Sequence, residues 1–181
     1  MFINTVSLIN GAKVLLLDQV FEADMLSQLH RLCDEFSTDN PDWQTPDWTT
    51  YRYVYQGHAA VYQELQQYLG SKSVTAQITQ AIDKSHVVLS AITLWIDFPG
   101  VGPLSPHVEG DDSYLAQIYI TKTPHSYSGT TVYQQDKKVL FQLPYRDNFG
   151  WFFDRATQVM HGREHDVPNG ISRFSIMAWY V

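Results

Sequence analysis

Apolar residues recur along this chain with two different textures. In the first part the helical period dominates. Met25, Leu26, Leu29, Leu32, Cys33 and Phe36 fall at helical spacing, with Glu22 and Asp24 at the end where a helix dipole favours acids, and they predict a helix over 21–36. Ahead of it Val14, Leu15, Leu16 and Leu17 form an apolar run ending at Asp18, which predicts a buried strand over 13–20. The stretch 37–50 holds Asp, Asn, Pro and two Trp and reads as a loop packed by its aromatics, a candidate lid. Residues 51–55 alternate around Arg52 as a short strand. Helices over 59–69 and 73–85 follow, with Gly70 between them as a natural C-cap. Their many glutamines read as a solvated outer face.

From Val87 onward the pattern becomes short apolar runs divided by turn residues. Strands are predicted over 87–98, 104–109, 114–121, 129–134, 139–144, 150–154, 159–161 and 171–181, with turns at Pro99-Gly100-Val101-Gly102-Pro103 and Gly110-Asp111-Asp112. Strands of this length at this spacing predict an all-β sandwich or barrel, here preceded by a helical third. No repeat, low-complexity tract or linker divides the chain. The expectation is a single domain over 1–181, with a helical N-terminal part at 1–86 and a β core at 87–181.

Composition narrows the function classes. A chain of 181 residues can bury a real core. A hydrophobic content of 44% is ordinary, and an aromatic content of 14% suits β-structure and a wide pocket. A formal net charge of −7 opposes binding to nucleic-acid phosphates as the main activity. The single cysteine, Cys33, excludes an internal disulfide, suits a reducing compartment and reads as a packing residue on its helix. No apolar run approaches the ~20 residues needed to cross a bilayer. Met1-Phe2-Ile3-Asn4 carries no basic leader. Together these predict a soluble, cytoplasmic protein without nucleic-acid or membrane partners.

The candidate chemistry lies in Ser105-Pro106-His107-Val108-Glu109. On an extended backbone alternate side chains share a face, so His107 and Glu109 present an imidazole and a carboxylate together. His161 would complete a set of two histidines and one carboxylate, which leaves positions open on one side of an iron. Arg173 follows twelve residues after His161 in the apolar run Ile171-Ser172-Arg173-Phe174-Ser175-Ile176. A guanidinium buried there calls for an anionic partner, and its planar, permanent charge suits a carboxylate. Ser175 shares its face by the period of two. On the matching register Leu115, Gln117 and Tyr119 face inward, while Trp95 and Asp97 fall on the opposite phase and are placed outside the site.

Four features therefore occur in one order: His107-x-Glu109, a tight Gly129-Thr130 turn, His161-Gly162, and Arg173-Phe174-Ser175 on the final strand. This order resembles the Fe(II)- and 2-oxoglutarate-dependent dioxygenases, and among them the prolyl-hydroxylase-like branch, over most of the chain from about Val14 to Tyr180. The apolar run Val14-Leu15-Leu16-Leu17-Asp18 before a helix is similar to that branch as well. The resemblance implies a mainly β (α+β) protein. Its fold would be a double-stranded β-helix (jelly roll, cupin-like) with N-terminal helices packed on the major sheet. It implies Fe(II) on His107, Glu109 and His161, and 2-oxoglutarate anchored by Arg173 with Ser175 and Tyr119. It implies O2 as oxidant, and hydroxylation of an unactivated carbon with release of succinate and CO2. The chain departs from the family in two places. Glu109 stands where Asp is commoner, and Phe98 stands where some prolyl hydroxylases carry a tyrosine. The presence of the carboxylate argues against the halogenase relatives, which lack it.

Other readings stay open at this level. His165, eight residues before Arg173, competes with His161 as third ligand. His58, His86 and His125 read as surface residues, and Asp111 and Asp112 as turn formers. Trp43, Trp48 and Tyr51 read as a hydrophobic satellite cluster. A cupin-like metal protein with other chemistry, or a non-catalytic metal- or ligand-binding module, would share the same residues. The substrate classes compatible with the sequence are a peptide side chain, a free amino acid and a small metabolite. The oligomeric state is not written in the sequence.

Overall fold

The structure is a computed structural model that describes residues 1–7, 13–47, 52–109, 113–125, 129–155 and 159–181. The expectations for Trp48, Tyr51, Gly110, Asp111 and Asp112 fall outside these residues.

The helices form where the apolar periodicity places them. Helix α1 (Ala23–Asp34) buries Leu29 and Leu32, with Asp24 in its first turn and Arg31 in its last, both signs matching the dipole. Helix α2 (Ala60–Leu69) buries Val61, Leu65 and Leu69, one residue per turn. Helix α3 (Lys72–Ile82) buries Val74 and Ile78, and the Ser71 hydroxyl caps it by accepting from the Val74 N–H at 3.3 Å. Gly70 does occupy the C-cap of α2, but with φ at −86°, a right-handed conformation open to any residue. No helix among the described residues is long and apolar enough to cross a membrane.

Twelve strands are described: β1 (Phe2–Ser7), β2 (Lys13–Asp18), β3 (Trp43–Gln44), β4 (Arg52–Tyr55), β5 (Leu89–Asp97), β6 (Leu104–His107), β7 (Tyr114–Ile120), β8 (Thr131–Tyr133), β9 (Val139–Gln142), β10 (Phe149–Asp154), β11 (Met160–Arg163) and β12 (Arg173–Tyr180). They form an eight-stranded sheet in the order β1-β2-β10-β7-β12-β5-β4-β3 and a four-stranded sheet in the order β6-β11-β8-β9. The pairing is antiparallel. This is the double-stranded β-helix expected from the sequence, with its helices on the major sheet.

The major sheet is covered on both faces. Leu15, Leu17, Leu94, Ile96, Ile118, Ile176 and Ala178 pack with helix residues Leu29, Leu65, Leu69 and Ile78 in one core. Val14, Leu115, Tyr119, Trp151, Phe153 and Met177 pack with Val132 of the smaller sheet in the other. Strands covered on both sides carry nearly continuous apolar runs, as β7, β10 and β12 do. Trp43 belongs to the main helix-side core beside Phe36 and Tyr55, not to a separate satellite cluster. Strand β1 was not foreseen. Its FINTVS sequence is half polar, and it forms by pairing with β2 at the sheet edge.

Candidate metal centre

The proposed ligands come from two neighbouring strands of the smaller sheet. His107 ends β6 and His161 lies in β11, and the two are direct cross-strand partners with ring centroids 4.5 Å apart. The close approach depends on Gly162, since a Cβ there would sit 2.5 Å from the Leu104 carbonyl oxygen and 3.1 Å from that of Ser105. Glu109 follows β6 by two residues and brings Oε1 to 3.7 Å from His107 Nε2. His107, Glu109 and His161 each offer a ligand atom, all within 4.8 Å of one another. Among the described residues they are the group of histidine, cysteine or acidic side chains that could hold a metal ion. His165 is exposed and stands outside the group. His58 and His86 are exposed as well.

Hydrogen bonds orient the rings. His107 Nδ1 lies 3.0 Å from the Ser105 carbonyl and His161 Nδ1 lies 3.0 Å from the Val159 carbonyl. A carbonyl only accepts, so each Nδ1 carries a proton, and in the neutral ring Nε2 presents the lone pair. Trp151 and Phe153 pack edge-on against His161 at 5.1 Å. Burial pushes the His161 pKa down to about 4, with the neighbouring His107 acting in the same direction. The facing His107, and then Arg155, hold the Glu109 carboxyl down to about 2 against the opposing effect of burial. Glu109 in turn raises the His107 pKa above its usual value.

A cavity of about 290 Å³ opens beside these groups, lined by Trp95, Gln117, Thr130, Trp151, Arg173 and Met177 among others. Arg173, 4% exposed, enters it from the start of β12. Its Nη1 donates to Asp97 Oδ2 at 2.8 Å, its Nη2 lies 3.5 Å from Thr130 Oγ1, and its guanidinium sits 5.0 Å from the Tyr119 ring centre. Ser175 and Tyr119 lie behind this wall in a buried network. The Tyr119 hydroxyl donates to Thr130 Oγ1 at 2.7 Å and accepts from the Thr130 N–H at 3.0 Å. The Thr130 hydroxyl and the Trp151 indole N–H both donate to Gln117 Oε1, at 2.8 and 3.0 Å. The Gln117 amide then faces Ser175 Oγ at 3.4 Å. Phe98 packs on Tyr53.

Trp95 and Asp97 were placed outside the site, yet Trp95 lines the cavity and Asp97 is 1% exposed beside Arg173. Asp97 is the cross-strand partner of Arg173, and facing residues share a face. The Asp97 carboxylate also accepts from Arg52 Nε at 2.6 Å and Arg163 Nη1 at 3.2 Å. Burial would raise its pKa, but Arg52, Arg173 and Arg163 together bring it below its usual value. Arg52, Arg155 and Arg163 were also missed as cavity residues. Arg52 carried the same signal as Arg173, a cation inside an aromatic strand.

No family model matches the chain, and no curated protein matches it. Solved structures do. The crystal structure of AviO1 from Streptomyces viridochromogenes Tue57 shares 15% identity over 93% of this chain and 89% of that one, with a TM-score of 0.67. A prolyl-4-hydroxylase from Pseudomonas putida shares 15% identity over 92% and 91% of the two chains, with a TM-score of 0.64. An oxidoreductase of the 2OG-Fe(II) oxygenase family from Burkholderia pseudomallei shares 10% identity over 92% and 83%, with a TM-score of 0.69. HygX from Streptomyces hygroscopicus, solved with nickel and 2-oxoglutarate bound, shares 12% identity over 92% and 82%, with a TM-score of 0.61. At these identities the likeness establishes a shared fold, a jelly roll.

Proposed function

We propose that the protein is an Fe(II)- and 2-oxoglutarate-dependent oxygenase, one catalytic unit over the whole chain, that hydroxylates an unactivated carbon of a peptide side chain, amino acid or small metabolite. The observation that carries this reading is the convergence of His107, Glu109 and His161 beside a cavity that also receives Arg173. The donor set fits the metal. Two imidazoles held with Nε2 unprotonated and one ionised carboxylate are the ligands Fe(II) takes in this arrangement. Three structural neighbours support the co-substrate by their own descriptions: HygX, the 2OG-Fe(II) oxygenase, and SnoN, an alpha-ketoglutarate-dependent epimerase.

The chain's residues take separate tasks. His107, Glu109 and His161 would hold the iron. The chemistry Fe(II) would supply there is oxidative decarboxylation of 2-oxoglutarate by O2, coupled to hydroxylation of a substrate C–H bond, with succinate and CO2 as by-products. Arg173 pairs with the distal carboxylate of the co-substrate, and Thr130 is within reach of the same anion. Tyr119 and Ser175 support that subsite from behind, through Thr130 and Gln117. Trp95, Trp151, Leu115 and Met177 exclude water, which strengthens every charged contact inside.

The test is succinate formation from 2-oxoglutarate, with and without Fe(II), in the wild type and in His107→Ala. The wild type should form succinate only with iron, and the variant should not. Equal formation in both would discard the proposal. One observation favours a second reading, a metal protein without an oxoacid: Asp97 already gives Arg173 a carboxylate partner. Turnover independent of 2-oxoglutarate would select it.

A further inference from the structure

Glu109 reaches farther than the aspartate commoner in the family this sequence resembles, and a longer carboxylate has more ways to meet a cation. The structure holds it from the far side. Arg155, just after β10, donates from Nη2 to Glu109 Oε2 at 2.9 Å, which leaves Oε1 facing His107. Arg155 is itself anchored twice to Ser113. Its Nη1 donates to Ser113 Oγ at 3.0 Å, and its backbone N–H donates to the Ser113 carbonyl at 3.0 Å. Its side chain is 16% exposed and lines the same cavity as His107 and His161. One guanidinium therefore grips Glu109 on one flank of the β6–β7 connection and Ser113 on the other.

We propose that Arg155 is a positioning residue for the metal centre: it occupies Glu109 Oε2 so that Oε1 alone is offered to the cation. The inference rests on the proposed function, since it needs a metal at His107, Glu109 and His161. Groups that orient a ligand in this way change metal affinity when removed, by about 10- to 100-fold.

The experiment is Co(II) titration of the full chain by calorimetry, with the visible absorption of the bound Co(II) recorded alongside. It compares the wild type with Arg155→Met and Arg155→Lys, each checked for folding by thermal melting. Arg155→Met should weaken Co(II) by about 10- to 100-fold and alter the visible bands, because Glu109 is no longer held in one orientation. Arg155→Lys keeps a single charge on Glu109 and should recover part of both. If Arg155→Met does not fold, Arg155→Lys decides alone, with a loss of about two- to tenfold and shifted bands. Affinity and spectrum equal to wild type in the folded variants would overturn the inference while leaving the metal site standing. A wild type that takes up no Co(II) would overturn the metal reading beneath it.

Discussion

His107 and His161 face each other across the β6–β11 pair, and each is locked by the carbonyl two residues before it in its own chain segment. Ser105 serves one ring and Val159 the other. The same local device, used twice on adjacent strands, sets both tautomers before any cation arrives.

Both rings should therefore matter alike. His107→Ala and His161→Ala are each expected to weaken Co(II) by more than about 100-fold, beyond what changes behind the ligands produce. Circular dichroism should remain that of the wild type for His107→Ala, whose residue is partly exposed. Calorimetric titration of the two variants at matched pH measures the loss.

Arg173 should govern the co-substrate and not the metal. Removing one partner of a buried charge pair costs about 2–5 kcal/mol, so Arg173→Ala should raise the KM for 2-oxoglutarate by at least about 30-fold. Co(II) affinity should change little. Arg173→Lys should stay impaired, because a point charge does not reproduce a planar two-point contact. Steady-state kinetics over a range of 2-oxoglutarate concentrations separate these outcomes.

Asp97 gathers three guanidinium groups, so its loss should be felt in stability. Asp97→Ala leaves those cations without their shared carboxylate and should cost about 3–5 kcal/mol. Its folded pKa lies below the ordinary aspartate value of about 3.9, so its stabilising contribution is full above that value and disappears as pH falls through the lower folded one. Acid unfolding of the wild type should therefore include a loss below about pH 4 that Asp97→Asn lacks. Urea unfolding at pH 3, 4, 5 and 7 would show it.

Gly162 should tolerate no side chain. Alanine there meets the Leu104 carbonyl and pushes β6 from β11, the pair that sets the two rings. Gly162→Ala is expected to lose about 1–3 kcal/mol of stability and to weaken Co(II) as well. Melting curves with and without the ion report both.

Cys33 should be unreactive in the folded protein. Burial raises its thiol pKa, with the nearby Asp34 adding to the effect. Alkylation at pH 8 should run at least about tenfold slower than in urea. Mass spectrometry over time follows it.

Much of this architecture was legible from pattern. The period of Leu29 and Leu32 gave α1, and the alternation of His107 and Glu109 gave a shared face. The phase of β5 was not legible, for a physical reason. Both faces of the major sheet are buried, so the apolar run through Leu94 and Ile96 marks the helix side as strongly as the cavity side. Hydrophobicity then says nothing about which way Asp97 turns. Only its pairing with Arg173, 76 residues away, decides that. The position of Arg155 against Glu109 is equally non-local. Strand β1 lacked a signal because its order comes from β2 and not from its own composition.

Strand β12 is a wall shared by two rooms. Ile176 and Ala178 serve the helical side, while Arg173 and Met177 serve the cavity. Changes at Met177 and Trp179 can suit a new guest molecule without disturbing the even positions. One short segment can thus retain its scaffold while its chemistry drifts.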